Sequence, residues 1–444
     1  MSFNLNPRRK RFWVAALVIS LVVCLAAVTL WSNRAVSAGE DYSQLKIFTE
    51  VLQAVKANYV EQPSTKDLIY AAIKGMIGSL DPHSGFMPPD AYKEMQVDTS
   101  GEFGGLGIEI GVKDDTLTVI APIDGTPADK AGIKAGDKII KINGDPTRDM
   151  TLVDAVKKMR GPKGTSVTLS IYREGFKKLQ DFTVVRDIIK VKSVKWNMLD
   201  KADGIGYIKL SQFQEKSAAE MAGALKDLNK QGMRSLILDL RNNPGGLLNS
   251  AVDISSQFLP QGKLVVSIKG RSGPSTDYNT TNTYPHYDRL RMIVLVNEGS
   301  ASASEIVSGA LKDWNRAVIM GTQTFGKGSV QTVIPLSDGS ALRLTTARYY
   351  TPKGISIQNT GITPDIEVKL AFVTGEKEHP FIRERDLKNH LDPSKGKQNL
   401  KGGEGEEQEM APFTPLNEKD DTQLQRAIDL LKSWDIFQKT GKAA

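Results

Sequence analysis

Residues 292–314 read MIVLVNEGSASASEIVSGALKDW. The five apolar residues at the start predict a buried β-strand, and the segment from Ala301 to Trp314 predicts a helix. Serines in the turn between them lie beside the unpaired N–H groups of a helix N-terminus, which stabilise developing negative charge. Helix capping is the equally common alternative role for such serines. The stretch predicts a strand–turn–helix unit that exposes serine hydroxyls.

A second unit of this kind lies upstream. Residues 235–240 read SLILDL, a nearly continuous apolar strand, and residues 242–246 read NNPGG before a predicted helix from Leu247 to Leu259. The glycines leave room for a tetrahedral centre, and the turn offers further free amides. Strands and helices alternate from Gly204 onward, which predicts an α/β layered domain.

A serine nucleophile needs a base, and the sequence favours lysine over histidine for that role. None of the four histidines occupies a strand end of the predicted α/β region: His83, His286, His379 and His390. Their positions disfavour a Ser-His-Asp triad. Lys327 stands between glycines with a predicted strand on each side, and a lysine can replace histidine as the base if burial lowers its pKa enough to leave the amine neutral. A solvated cation at a hairpin tip is the alternative for Lys327.

Residues 99–186 differ from the α/β region in that their sequence predicts mainly β-strands. Residues 104–110 read GGLGIEI, a glycine-rich turn that enters a strand, and residues 127–145 read PADKAGIKAGDKIIKINGD. An amphipathic helix at 151–159 and a strand at 166–172 follow. This order resembles a PDZ domain, which adds an extended peptide as an extra strand and binds its terminal carboxylate with backbone N–H groups.

The PDZ resemblance implies a peptide-binding loop of five residues: Gly104, Gly105, Leu106, Gly107 and Ile108. Glycine permits the turn dihedrals and the close approach of a carboxylate. An ordinary β-turn is the alternative. Arg160, just after the helix, is placed to pair with a peptide carboxylate or a neighbouring domain, or to remain a solvated cation at a helix end.

The N-terminus has the pattern of an export signal. The basic residues Arg8 to Arg11 precede twenty residues without a charge, Phe12 to Trp31. Val36-Ser37-Ala38 has the spacing that signal peptidase uses, whereas the apolar run is long enough to span a bilayer. We therefore expect either a cleaved signal peptide or a retained inner-membrane anchor, with the rest of the chain in the periplasm or elsewhere outside the cytoplasm.

Charge and cysteine content exclude other classes of function. The formal net charge is +7, but residues 1–38 hold five basic residues and no acidic one, which leaves 53 basic and 51 acidic residues elsewhere. Such a balance does not support nucleic-acid binding. Cys24, the single cysteine, lies in the apolar run, so the rest of the chain has no disulfide, thiolate metal site or cysteine nucleophile. We expect neither a metal nor a cofactor.

Four motifs together resemble the carboxy-terminal processing proteases, which are serine endopeptidases with a Ser/Lys dyad and a ClpP/crotonase-like core. The motifs are LDPHSGFM at 80–87, DLRNNPGGLL at 239–248, GSASASEI at 299–306 and FGKGSVQ at 325–331. The resemblance implies that Ser302 is the nucleophile, Lys327 the general base and later acid, and Gln331 the residue that orients Lys327. The implied oxyanion hole uses the backbone N–H of Ala303 and that of Gly245 or Gly246.

The expected architecture has an N-terminal helical region, a PDZ domain and a ClpP/crotonase-like α/β protease core. The expected segments are a signal or anchor (1–38), a helical region (39–98), the PDZ domain (99–186), the protease core (187–370) and a charged tail with a terminal helix (371–444). We expect cleavage of exported proteins or peptides near their C-termini, with apolar tails held by the PDZ domain. Self-association into a homo-oligomer is expected through the terminal helical segments. The alternatives are a non-catalytic PDZ adaptor on a protease-like scaffold and a crotonase-like acyl-CoA enzyme.

Overall fold

The structure, a computed structural model, describes residues 43–113, 115–369, 382–391 and 420–440. The chain divides into two units, Met1–Met76 and Ile77–Ala444. The predicted signal or anchor segment lies outside the described residues, as does His379. Within the described ranges, no helix combines the length and apolar character that crossing a membrane requires.

The described part of the first unit is mainly helical. Helix α1 covers residues 43–58, and α2 (Thr65–Gly78) ends in the second unit. Both helices lie within residues 39–98, where the sequence predicts a helical region. Helix α1 exposes four large apolar side chains: Leu45, Ile47, Phe48 and Val51.

The second unit begins with two elements that the sequence analysis did not assign. Strand β1 (Gly85–Met87) is followed by helix α3 (Pro89–Ser100). Proline at the first helical position lacks only an N–H that would be unpaired there anyway, which suits the start of a helix. Gly101 ends the helix in the left-handed conformation with φ 69°, which glycine adopts without steric cost.

Residues 102–190 form the domain that resembles a PDZ domain. Its strands are β2 (Glu102–Gly105), β3 (Ile108–Lys113), β4 (Thr116–Pro122), β5 (Lys138–Ile142), β6 (Asp145–Pro146), β7 (Ser166–Tyr172), β8 (Gln180–Val185) and β9 (Asp187–Lys190). Its helices are α4 (Pro127–Lys130) and α5 (Leu152–Met159). The main sheet has the order β3-β4-β5-β7-β8 with β6 beside β5, and β2 pairs separately with β9. Buried apolar residues of the sheet and of α5 form its core.

The glycine-rich turn is shorter than predicted. Gly104 and Gly105 lie in strand β2, opposite Ile188 and Asp187 of β9, so the turn itself contains only Leu106 and Gly107. A Cβ at Gly104 would lie 2.1 Å from the carbonyl oxygen of Gly161. Close backbone packing, rather than turn geometry, therefore explains this glycine.

The rest of the second unit is an α/β layered domain, as predicted. Its larger sheet has six strands in the order β10-β11-β12-β15-β16-β19, and all neighbours except β10 and β11 run parallel. The strands are β10 (Val194–Asp200), β11 (Ile205–Leu210), β12 (Ser235–Asp239), β15 (Arg291–Val296), β16 (Val318–Gly321) and β19 (Ile366–Glu367). The intervening helices are α6 (Ser217–Lys230), α7 (Leu248–Ser256) and α8 (Ala303–Asp313).

A second sheet of five strands joins distant parts of the chain. Its strands are β13 (Leu264–Gly270), β14 (Thr276–Asn279), β17 (Ser329–Pro335), β18 (Ala341–Tyr350) and the upstream β1. Strand β1 pairs antiparallel with β18, so Phe86 lies opposite Leu342. The LDPHSGFM motif is thereby brought into the α/β domain.

Both faces of the six-stranded sheet are covered. Helices α6, α7 and α8 pack on one face, and α9 (Thr422–Thr440) packs on the other. Every residue of β12 is buried, which explains its nearly continuous apolar sequence. Arg241, just after β12, bonds both Asp239 and Asp421, with nitrogen–oxygen distances of 2.7 Å to each carboxylate. This buried ion pair fixes the start of α9 against the sheet.

Parallel pairing brings the two predicted turns together. Strands β12 and β15 are neighbours, with Asp239 opposite Leu295, so their carboxyl ends meet at one edge of the sheet. The amide of Ala301 donates to the carbonyl oxygen of Asn243 at 3.0 Å, and the amide of Asn242 donates to Oδ1 of Asn297 at 2.8 Å. This edge is where an open α/β sheet places its site.

Candidate active site

Ser302 occupies a strained position between β15 and α8. Its φ is 55° and its ψ is −113°, and a non-glycine residue in this region of φ/ψ space must be held there by its surroundings. The amide of Ser302 donates to Oε2 of Glu305 at 2.9 Å, and Oγ of Ser304 donates to the carbonyl oxygen of Asn243 at 2.9 Å. The turn therefore presents a half-buried serine hydroxyl on a fixed backbone.

Glu305 is the residue that organises this edge, and sequence reasoning assigned it no role. Its side chain is fully buried, and its carboxylate accepts four hydrogen bonds. The donors are Oγ1 of Thr324 at 2.5 Å and the amides of Gly326 at 2.7 Å, Lys327 at 2.9 Å and Ser302 at 2.9 Å. Burial raises the pKa of Glu305 to about 7, although these four donors favour the ionised form and oppose the rise.

Lys327 lies in the loop between β16 and β17, beside the Ser302 turn. Burial lowers the pKa of Lys327, and the positive charge of Arg343 lowers it further. The carboxylates of Glu384, Glu305 and Asp81 act in the opposite direction but do not prevail. Among the residues that the structure describes, Nζ of Lys327 has no hydrogen-bond or ion-pair partner. A half-buried amine with a lowered pKa is suited to act as a base.

The hydroxyl of Ser302 is bonded to Tyr349 in this structure. The two oxygen atoms, Oγ of Ser302 and the phenolic oxygen of Tyr349, lie 2.7 Å apart. Tyr349 is 4% exposed and belongs to the hydrophobic core. No hydrogen bond joins Oγ of Ser302 to Nζ of Lys327 within the described part of the chain. The backbones of the predicted dyad are adjacent, while their side chains are not joined.

Gln331 lies on β17, next to the loop that carries Lys327. Its Nε2 donates to Oγ of Ser329 at 2.9 Å and, at 3.4 Å, to Oγ1 of Thr345. The contacts of Gln331 in the described residues do not include Nζ of Lys327. The structure therefore brings Gln331 to the neighbourhood of Lys327 without the predicted contact.

The NNPGG turn faces the Ser302 turn. A Cβ at Gly245 would lie 2.8 Å from Cβ of Ser302 and 2.9 Å from the amide nitrogen of Ala303. The amide of Gly245 donates to Oδ1 of Asn243 at 2.9 Å and is therefore occupied. In the described part of the chain, the amides of Gly246 and Ala303 have no acceptor, and Gly246 is exposed. Two unpaired N–H groups thus flank the serine.

His83 lies closer to this edge than the sequence indicated. Its Nε2 is 2.6 Å from Oε2 of Glu384, which is fully buried, and Oε1 of Glu384 accepts from Nε2 of Gln358 at 2.8 Å. Oε1 of Gln358 accepts in turn from the amide of Gly328 at 3.0 Å. His83 lies just before β1, and the pairing of β1 with β18 brings it to the α/β domain, which its position ahead of the PDZ domain did not indicate. It contacts Glu384 rather than Ser302.

The peptide-binding loop expected in the PDZ-like domain is held by α4 and the turn before it. The carbonyl oxygen of Gly107 accepts from the amide of Ile123 at 2.9 Å, and that of Leu106 accepts from the amide of Ala128 at 2.9 Å. Gly107 has a φ of 77°, which permits the turn before β3 starts at Ile108. The loop is therefore a tight two-residue turn.

The side chain of Arg160 packs on an aromatic ring and, among the described residues, is neither a fully solvated cation nor paired with a carboxylate. Its guanidinium carbon lies 4.8 Å from the centroid of the Phe103 ring on strand β2, a cation–π contact. Burial raises the pKa of Asp98, and the positive charge of Arg160 opposes that rise without cancelling it. The residue joins α5, β2 and the end of α3 within the second unit.

No group of three or more His, Cys, Asp and Glu side chains in the described ranges is arranged to hold a metal ion. The site is built from serine, lysine, carboxylate and backbone amide groups.

Comparisons with known proteins give a consistent result. The model of peptidase family S41 matches residues 204–368, and the PDZ domain model matches residues 94–172. The chain is 44% identical to the carboxy-terminal-processing protease of Bartonella bacilliformis over 430 residues, which cover 96% of each protein. It is 40% identical to the carboxyl-terminal-processing protease of Synechocystis sp. over 326 residues, 72% of this chain and 76% of that protein.

Among solved structures, the chain is similar to the photosystem II D1 C-terminal processing protease. The two are 31% identical, with a TM-score of 0.44, over 72% of this chain and 92% of that chain.

Proposed function

The chain belongs to peptidase family S41, and we propose that it is a carboxy-terminal-processing serine endopeptidase in which Ser302 is the nucleophile and Lys327 the general base. Membership rests on the match of the S41 model to residues 204–368 and on 44% identity to a carboxy-terminal-processing protease over 96% of the chain. The family resemblance, the PDZ domain and the α/β protease core that the sequence predicted are thereby confirmed. A peptidase with a PDZ domain acts on proteins or peptides.

One observation carries the assignment of the dyad. The amides of Ser302 and Lys327 donate to the same oxygen of Glu305, so the two loops are held against each other at the edge of the sheet. Burial and, to a smaller extent, the neighbouring charge of Arg343 lower the pKa of Lys327, which raises the fraction of neutral amine. A neutral amine beside a serine on a helix N-terminus supports nucleophilic catalysis.

The proposed reaction is acyl transfer in two steps. Lys327 takes the proton of Ser302 as Oγ attacks the scissile carbonyl carbon, and the carbonyl oxygen becomes an oxyanion. Lys327 then gives the proton to the leaving amine as the carbon–nitrogen bond breaks, leaving an ester on Ser302. Lys327 next deprotonates a water molecule that attacks the ester carbonyl carbon, and it returns this proton to Oγ as the bond between that carbon and Oγ breaks and the peptide acid is released.

The oxyanion is held by the amides of Ala303 and Gly246 in this proposal. The amide of Gly245 is already occupied by Oδ1 of Asn243, whereas that of Gly246 is exposed and has no acceptor in the described residues. Preorganised donors at this position stabilise charge that develops only in the transition state. The sequence left open whether Gly245 or Gly246 supplies the second N–H group of the oxyanion hole, and we propose Gly246 for this reason.

Gln331 retains its predicted role as the residue that orients Lys327. In this proposal the side chain of Gln331 rotates away from its present partners, Ser329 and Thr345, to form a hydrogen bond with Nζ of Lys327. The role is a positioning one, since Gln331 contacts neither the serine nor the free amides in the described residues.

The PDZ domain selects substrates in this proposal. The turn at Leu106 and Gly107 would bind a terminal carboxylate, and the exposed edge of the following strand would pair with the peptide. Exported proteins or peptides with apolar C-termini are the proposed substrates. The basic and apolar pattern of residues 1–38 supports a location outside the cytoplasm, with cleavage and anchoring of that segment both open. Self-association also stays a prediction.

Peptide cleavage by the full chain tests the dyad. A fluorogenic peptide with an apolar free C-terminus should be cleaved by the wild type, and Ser302→Ala and Lys327→Ala should each lose at least about 1,000-fold in kcat/KM. Ser337→Ala and Lys353→Ala, which change exposed residues, are the matched controls and should cleave normally. Cleavage by Ser302→Ala at the wild-type rate would refute the proposal and leave a PDZ adaptor as the alternative.

A further inference from the structure

The hydroxyl of Ser302 is hydrogen-bonded to a residue that has no role in the reaction proposed above. The phenolic oxygen of Tyr349, 2.7 Å from Oγ, is the one hydrogen-bond partner of that hydroxyl among the described residues. Oγ is in turn the one partner of the phenol there. The two hydroxyl groups are thus each other's hydrogen-bond partner, and little water reaches them because Tyr349 is only 4% exposed.

This contact does not activate the serine. Burial raises the pKa of Tyr349 above its ordinary value, so the phenol is neutral at working pH and cannot remove a proton. If the phenol donates, it occupies a lone pair of Oγ; if it accepts, it directs the serine proton away from Lys327. In either arrangement the nucleophile is not joined to its base.

Tyr349 is held firmly in place. Its amide donates to the carbonyl oxygen of Gly328 at 2.9 Å, directly after Lys327, and its strand pairs with β13 through Ile268. The ring is part of the core beneath α8. The side chain that can move is therefore that of Ser302, by rotation about its χ1 angle on a backbone with positive φ.

We propose that Tyr349 is a latch on the resting enzyme, which holds Oγ of Ser302 until the serine rotates toward Lys327. The inference rests on the proposed function, because it assumes that Ser302 is the nucleophile. It adds a residue that lies 47 positions downstream and that restrains the nucleophile without taking part in proton transfer. Removing the phenolic hydroxyl should therefore speed the reaction of Ser302.

The expected gain is modest. A hydrogen bond between neutral groups contributes little to an equilibrium, so its loss should raise the population of the released serine about 2- to 10-fold. The base is unchanged, so the pH at which reactivity is half-maximal should stay where it is. A rise in rate with a constant pH profile is the signature of a latch, and a purely structural role for Tyr349 would not produce it.

The test measures labelling of the full chain by a small fluorophosphonate, which carries no C-terminal tail. In this reaction Oγ bonds to phosphorus, the phosphorus–fluorine bond breaks, fluoride leaves, and Lys327 takes the serine proton. Tyr349→Phe should label about 2- to 10-fold faster than the wild type across the pH range, while Tyr350→Phe, at the neighbouring half-buried tyrosine, should label at the wild-type rate. An unchanged or lower rate for Tyr349→Phe would overturn the latch.

Two controls separate the outcomes. Incorporation of 4-fluorophenylalanine at position 349 also removes the hydroxyl, but its fluorine fills more of the space that the oxygen leaves. If Tyr349→Phe lacks a cooperative thermal transition, the labelling rate of this second variant is compared with that of the wild type instead, and the same outcomes apply. Labelling of Ser302→Ala at the wild-type rate would refute Ser302 as the nucleophile, and hence the proposed function. Labelling that depends on Ser302 but is not faster without the hydroxyl would refute the latch alone.

Discussion

Ser302 and Lys327 donate their backbone N–H groups to one and the same atom, Oε2 of Glu305, at 2.9 Å each. A single buried carboxylate therefore fixes the separation of two loops that are 25 positions apart in the sequence. The other oxygen of the carboxylate accepts from Thr324 and Gly326, so Glu305 also holds the residues that precede Lys327 in its loop. This arrangement makes Glu305 the residue on which the geometry of the proposed dyad depends.

Glu305→Gln should lower activity strongly and stability moderately. The amide group of glutamine presents N–H bonds to two of the four donors, so two hydrogen bonds are lost within a buried site. We expect a fall in kcat of about 100-fold, because the loops shift by a fraction of an ångström, and a loss of about 1–3 kcal/mol in the free energy of unfolding. Peptide kinetics and urea denaturation measure the two effects.

Glu298→Gln is the matched control for that change. Glu298 lies in the turn between β15 and α8 and accepts from Oγ1 of Thr322 at 2.7 Å, but in the described residues its carboxylate has no hydrogen bond to Ser302 or Lys327. Equal loss of activity in both variants would show that Glu305 has no special part in the site.

The pH dependence of activity should reflect Lys327 and its neighbour Arg343. Only the neutral amine is a base, so activity rises with pH through the pKa of Lys327, which burial and Arg343 lower from 10.5. Arg343→Gln removes a positive charge, so the pKa of Lys327 should rise and the ascending limb should move to higher pH. The profile of kcat/KM between pH 5 and pH 10 gives the measurement.

Arg343→Lys keeps the charge and loses the hydrogen bond from Nε of Arg343 to the carbonyl oxygen of His83, which is 2.9 Å long. Its profile should stay close to that of the wild type. If both variants shift equally, the hydrogen bond and not the charge sets the pKa. Protonation of Glu305, whose pKa is about 7, should remove an acceptor from the loops and add to the loss of activity at acid pH.

Gly245→Ala should inactivate the enzyme. The added Cβ would lie 2.8 Å from Cβ of Ser302 and 2.7 Å from the carbonyl oxygen of Ala301, so the nucleophile turn has to move. We expect a loss of about 100-fold or more in kcat/KM, since displacement of the reacting atom by about 1 Å has this effect. Gly262→Ala introduces the same positive-φ strain at a place with open space, and should cost stability but not activity. A Gly245→Ala protein with normal kinetics would contradict the position assigned to the turn.

Gly107→Ala should weaken binding of substrate tails. Gly107 has φ 77°, and its Cβ would lie 2.4 Å from Cβ of Thr126, so the two-residue turn has to open. Fluorescence anisotropy of a labelled peptide with an apolar free C-terminus should show at least about a 10-fold loss of affinity. Gly144→Ala, a positive-φ glycine with open space in the same domain, is the control. Equal binding of a C-terminally amidated peptide by the wild type would argue against carboxylate recognition.

The sequence was sufficient for the parts of the fold that local patterns determine. The apolar runs at 235–240 and 292–296, each followed by a glycine-containing turn, predict buried strands that lead into helices, and β12 and β15 have this form. Parallel strands also explain why the two turns meet. The assignment of Ser302 and Lys327 came from the family resemblance, because local patterns alone left helix capping and a solvated hairpin-tip cation as alternatives.

Other parts of the site depend on contacts between distant residues, which no local pattern contains. Glu305 has the sequence position of an ordinary acidic residue in the first turn of a helix, and its role comes from donors about twenty positions downstream. His83 and Tyr349 reach the site through the antiparallel pairing of β1, β13 and β18. Glu384 lies in a charged segment, so the hydropathy of the sequence does not predict that its side chain is buried.

The most direct test of the account is to trap and map the acyl-enzyme. A peptide thioester with an apolar C-terminus, mixed with the full chain and quenched in acid within one turnover, should leave an ester on the tryptic fragment that contains Ser302. The adduct should be absent from Ser302→Ala and formed at least about 100-fold more slowly by Lys327→Ala. Turnover without an adduct on Ser302, or an adduct on another residue that persists in Ser302→Ala, would contradict the account.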